Sequence, residues 1–181
     1  MKNFGLITAT LISVLLLAAC KKSKVDRAST NYFTEGGSYQ IVPDTIIANT
    51  QNNTWVLHAY KKVLANQYHD GGSSEDLFIT FPGKYRILPT GNYQIVSSLS
   101  SLSAGKVYVN FSYSQDLTGS AFQASSHGNA IDGQVQVSQI DEGQIRIVFN
   151  GLNATNSWWQ SVEAASTSGY DTVKLLADIT Y

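Results

Sequence analysis

The sequence predicts an all-β domain, an antiparallel β-sandwich or its barrel-like variant, and three observations lead there. From residue 39 onward apolar and polar residues alternate at period two, the signature of strands with one buried face. The alternating stretches are short, and Pro82-Gly83, Pro89-Thr90-Gly91-Asn92 and Asp141-Glu142-Gly143 punctuate them as turns. Helical periodicity is confined to one place, so the fold carries at most one short helix, near residues 156–165.

Taken in order, strands are expected over 39–42, 45–48, 55–61, 77–81, 85–88 and 93–97, each rich in branched and aromatic residues. The clearest follows at 106–114, where Val107, Val109, Phe111 and Tyr113 point one way and Lys106, Tyr108, Asn110, Ser112 and Ser114 the other. A weaker strand is expected at 121–125. Val135 and Val137 then alternate with Gln134, Gln136 and Ser138, and the chain turns at Asp141-Glu142-Gly143 into Ile145, Ile147 and Phe149. A short loop ending in glycine suits a hairpin whose last loop residue takes positive φ. Asn156 or Ser157 could cap a helix with Trp158, Val162 and Ala165 on one side. The last strand carries Val173, Leu175, Ala177, Ile179 and Tyr181 on its buried face.

Residues 1–19 read as a removable leader: Lys2 gives the basic start, residues 4–17 are mostly apolar, and the run is shorter than the roughly 20 residues a membrane span needs. Leu17-Ala18-Ala19-Cys20 resembles the lipobox of bacterial lipoproteins. The resemblance implies that the Cys20 thiol is diacylated before cleavage and becomes the new N-terminus. Residues 20–31 then form a lipidated cysteine and a flexible tether, whose Lys21, Lys22, Lys24 and Arg27 suit anionic head groups. Residues 32–181 are enough for one domain with its own core. Lys21, where an acidic residue does not follow the cysteine, implies passage to the outer membrane.

The stretch from Gly133 to Leu152, with Gly91-Asn92-Tyr93-Gln94-Ile95 before it and a terminal strand after it, resembles the small β-rich lipoproteins of Gram-negative envelopes. That resemblance implies a fold class and an envelope address, and it brings no catalytic residues.

Without Lys2 the 12 basic residues become 11 against 13 acidic ones, about −2, and no basic stripe runs along a strand, which argues against nucleic acid as a partner. Cys20 is the one cysteine, so its acylation leaves no thiol for a disulfide, a nucleophile or a thiolate metal site. His58, His69 and His127 are not spaced as a zinc set, and no Gly-x-Ser-x-Gly elbow or phosphate loop occurs. His58 falls on a strand between Val56 and Tyr60, where a half-buried structural role is expected. The acidic cluster of Asp70, Glu75 and Asp76 around Gly71-Gly72 could wrap a hard cation such as calcium, but its spacing departs from an EF-hand loop, and Gly71-Gly72-Ser73-Ser74 reads more simply as the flexible tip of a plain loop. No cofactor is expected.

Aromatic residues give the better lead. Trp158 and Trp159 adjoin in a polar segment, and regular backbone sends neighbouring side chains to different faces, so one indole is expected in the core and the other exposed. An exposed indole stacks on a sugar or anchors a protein. Tyr60, Tyr68, Tyr85 and Tyr108 could extend such a platform. The function expected is therefore a lipid-anchored, non-catalytic binding module for a glycan or a protein at the outer membrane. The alternative is a structural accessory of an envelope assembly, and an envelope hydrolase has the least support. An aromatic patch around the tryptophans would favour binding, a bare strand edge assembly, and clustered carboxylates in a cleft catalysis.

Overall fold

The computed structural model describes residues 31–35, 40–63, 71–117, 122–141, 143–162 and 165–181. The chain is all-β, as its alternation predicts. It forms eleven strands: β1 (Tyr32–Glu35), β2 (Gln40–Ile41), β3 (Thr45–Gln51), β4 (Thr54–Val63), β5 (Gly71–Pro82), β6 (Gly91–Ile95), β7 (Lys106–Leu117), β8 (Phe122–Asp132), β9 (Gln134–Asp141), β10 (Gln144–Val162) and β11 (Ala165–Thr180). One 3-10 turn, Leu99–Ser101, is capped by the Ser98 hydroxyl, which accepts from the Ser100 amide.

All eleven belong to a single sheet in the order β2-β1-β11-β10-β9-β6-β7-β5-β4-β3, with β8 inserted separately between β10 and β7. Every pairing is antiparallel except β6 with β7. The strand order forks because β8 and β9 are consecutive, separated only by Gly133 at φ 111°. Before that kink the chain pairs with β7; after it, β6 lies between β7 and β9. On β10 the fork is matched by a bulge between Asn150 and Leu152, with Gly151 at φ 76°. Side chains at both glycines would meet unfavourable backbone, and a Cβ on Gly133 would lie 2.5 Å from Leu152 Cδ2. The Asp132 carboxylate fastens the junction, accepting from Asn153 Nδ2 at 2.7 and 2.8 Å.

The sheet curls around one core. Residues of ten strands fill it, among them Leu57, Ile79, Val109, Val135, Ile147 and Ile179, each wholly buried. Burying such a side chain contributes about 1.5–3 kcal/mol, and the polar residues between them stay on the wet face. Where the curl brings opposite ends together, Trp55 of β4 meets Tyr181 beyond β11 edge-on, ring centroids 6.2 Å apart.

Of the faces expected to be buried, Val107, Val109 and Phe111 of β7 and Leu175, Ala177 and Ile179 of β11 are buried, Tyr113 and Val173 are half-buried, and Tyr181 is 44% exposed. Gly143 closes the β9–β10 hairpin at φ 79°, as its place in the loop predicts. Four local readings differ, the first being that residues 71–76, expected as a loop, are the first half of β5. Residues 85–88 form a loop in which Leu88 is buried and Tyr85 covers Gly83. Tyr32–Glu35, where no strand was expected, pairs with both β11 and β2 and buries Phe33. The stretch 156–162, where a short helix was expected to begin, is strand, because it has partners on both sides: β8 from Gly128 to Phe122 and β11 from Asp171 to Ala165. Two complete ladders outweigh a marginal short helix.

Candidate functional site

Six strands, β4, β5, β7, β8, β10 and β11, run on past the apolar core. The last wholly apolar row across them is Leu57, Ile79, Val109, Ala130, Ala154 and Val173. One strand pleat further the same face presents Asn156 beside Gly128. Two pleats further it presents Lys61, Glu75, Tyr113, Ser126, Trp158 and Gly169, directly opposite one another in register. Six adjacent strands spread this row over about 24 Å of sheet.

The row combines polar groups with one indole. Trp158 is half-buried and lies over Gly169 of the neighbouring strand, where a Cβ would stand 2.6 Å from its Cζ2. The missing side chain is what lets the indole lie flat against β11. The Tyr113 hydroxyl donates to Gln115 Oε1. Asn156 is only 7% exposed, and its Oδ1 has no hydrogen-bond partner among the described residues; neither has the shielded Oε2 of Glu75. Loss of solvent raises the Glu75 carboxyl above its ordinary value, with the Lys61 ammonium pulling the other way.

The opposite face carries a second aromatic group. His58 stacks on Phe78 with ring centroids 4.1 Å apart and lies 4.7 Å from Tyr60, and its Nε2 is 2.7 Å from Asp76 Oδ1. This is the half-buried structural role expected for His58. Further along, Trp159 is 37% exposed and Tyr170 is 88% exposed, on strands otherwise rich in serine and threonine.

The two tryptophans thus point to opposite faces of β10, and neither belongs to the apolar core. Glu75 and Asp76 are likewise neighbours on one strand: Glu75 faces the core side and Asp76 pairs with His58 on the other. They do not converge on one cation, because a regular strand cannot aim consecutive side chains at the same point. Asp70, the third member of that set, lies outside the described residues, as do Cys20, the tether up to residue 30, Tyr68 and His69. Among the described residues no group of three or more histidine, cysteine, aspartate or glutamate side chains comes together. Tyr108 is half-buried on the outer face, and burial raises its hydroxyl; Tyr85 is taken up in the loop against Gly83.

Sequence reasoning missed Tyr113, Ser126 and Asn156. The segments of Ser126 and Asn156 are polar on both faces, and although the alternation puts Tyr113 on the face of Val107, Val109 and Phe111, nothing local joins it to the other two. No protein-family model, curated protein or solved structure matches the chain.

Proposed function

We propose that this is a lipid-anchored envelope protein that works without catalysis, binding a glycan or protein partner on the polar extension of its sheet. The observation that carries the reading is the row from Lys61 to Gly169. It sets a half-buried indole and side-chain hydrogen-bonding groups on a paired, rigid ladder, away from any need to fill the core. Stacking on Trp158 suits a pyranose ring. Trp159 offers a second contact on the other face. Acylation of Cys20 supplies the membrane attachment, and the outer membrane is its address.

A glycan array together with a pull-down from envelope extracts tests the reading, using the wild type and the separate variants Trp158→Ala and Trp159→Ala. The wild type captures a ligand, and at least one variant loses capture tenfold or more while its far-ultraviolet spectrum stays unchanged. Trp159→Ala leaves stability within about 0.5 kcal/mol, the usual range for surface positions. Capture by both variants at the wild-type level contradicts the proposal.

The structural-accessory reading has its own supporting observation. β1 pairs with β11 only from Leu175 to Asp178, so the outer edge of β11 from Ala165 to Lys174 has no strand partner among the described residues. Its first nine residues contain no proline or lysine, the usual guards of such an edge, which suits addition of a strand from an assembly partner.

A further inference from the structure

The polar extension lies at one end of the strands; the opposite end is where the chain enters the domain. Thr180 donates its amide to Asn31 Oδ1 at 2.7 Å, fixing the first described residue beside the end of β11. Tyr181 and Ile145 exchange both backbone hydrogen bonds at 2.9 Å, which sets the β9–β10 hairpin at the same end. A chain of rings closes it: Tyr181 against Trp55, Trp55 against Phe81 at 5.8 Å, and Phe81 against Tyr93 at 4.8 Å. Tyr93 in turn donates its hydroxyl to Pro89 O at 2.7 Å, which ties down the loop of residues 83–90.

Outside this plug, exposed apolar and basic side chains occur together. Ile87 is 51% exposed, Ile140 52% and Tyr181 44%, with Lys84 and Arg86 exposed in the same loop as Ile87. On the adjoining hairpin Asp141 is exposed, and Glu142 follows it in the sequence. From Cys20 to Asn31 is 31 − 20 = 11 residues, which reach at most about 40 Å when fully extended. A lipid on Cys20 therefore keeps this end within about 40 Å of the bilayer, while the polar extension lies at the far end of the strands.

We infer that this end is a membrane-resting face, with Ile87 and Tyr181 meeting the lipid interface and Lys84 and Arg86 its anionic head groups. The inference rests on the anchored reading above. Side chains with an apolar body favour the boundary between head groups and acyl chains, and basic side chains are drawn to an anionic leaflet. The contact is weak by itself, but a short covalent link to the same bilayer makes it an intramolecular one at high effective concentration. Resting on this end turns Trp158, Trp159 and Tyr170 away from the membrane.

Because Cys20 is the one cysteine, its acylation leaves Ile87→Cys or Tyr170→Cys as a unique thiol in the full lipidated chain. Each is labelled with an environment-sensitive dye and reconstituted in vesicles of phosphatidylethanolamine and phosphatidylglycerol that contain a spin-labelled lipid quencher. The dye at position 87 is quenched at least threefold more than the dye at 170, and Lys84→Glu with Arg86→Glu reduces that difference. Equal quenching at the two positions, in a chain whose N-terminal peptide has the mass of the acylated form, overturns the membrane-resting face alone. An N-terminal peptide without acyl chains overturns the anchored reading and this inference with it.

Discussion

Strand β10 has two halves that face the same side of the sheet with opposite chemistry. Before its bulge, Ile145, Ile147 and Phe149 are buried in the core; well beyond it, Trp158 is half-buried and Gln160 is exposed. Both halves are paired on both sides, the first with β9 and β11, the second with β8 and β11. Backbone pairing therefore runs the length of the strand, while apolar burial stops part-way. Ladders alone add little net stability, since each hydrogen bond replaces one made to water, whereas burial supplies most of the driving force. The core half holds the fold, and the polar half is carried on it.

The sharpest way to break the comparison is to place a charge in the core half. Val109→Asp puts an unpaired carboxylate at a wholly buried position and is expected to cost several kcal/mol, while Asn110→Asp, one residue on and facing out, is nearly silent. Thermal melts of the two variants check this, and similar losses would mean that the division between faces is misread.

A smaller effect is expected from Glu75 in the polar half. Burial raises its carboxyl in the folded chain above the ordinary value of 4.5. Its contribution is therefore most favourable at low pH, where the carboxyl is protonated in both states. That contribution is lost as pH rises from about 4.5 through the raised value, because the folded state then holds a poorly solvated charge. Glu75→Gln removes this loss, so at neutral pH the variant melts higher than the wild type, and the difference closes toward pH 4. A melting difference independent of pH would show that Glu75 acts only through its shape.

Much of the core half was legible in the sequence, because period-two alternation becomes visible when one face is apolar. Val107, Val109 and Phe111, or Leu175, Ala177 and Ile179, announce both strand and face. The polar half gives no such sign. Residues 71–76, which read as a loop around Gly71-Gly72, are the first half of β5. In β8, from Phe122 to Asp132, Ala130 and Ser126 are the buried residues, so no apolar period reveals its length. The tryptophans stood out as large aromatics in a polar setting. Their opposite faces followed only once residues 156–162 proved to be strand, and the row joining Trp158 to Glu75 depends on a register that no local pattern encodes.

Residue-resolved native-state hydrogen exchange tests the two-part account most directly. Amides of Val107 to Phe111 and of Ile145 to Phe149 should exchange only through global unfolding, with a free energy equal to that of the whole domain. Amides of Asn156 to Ser161 and of Ser166 to Thr172 should exchange through local opening at a clearly lower free energy, though still slower than in an unfolded chain. The same opening free energy in both sets would contradict the account, since it would mean that the polar extension is as much a part of the cooperative core as the apolar half.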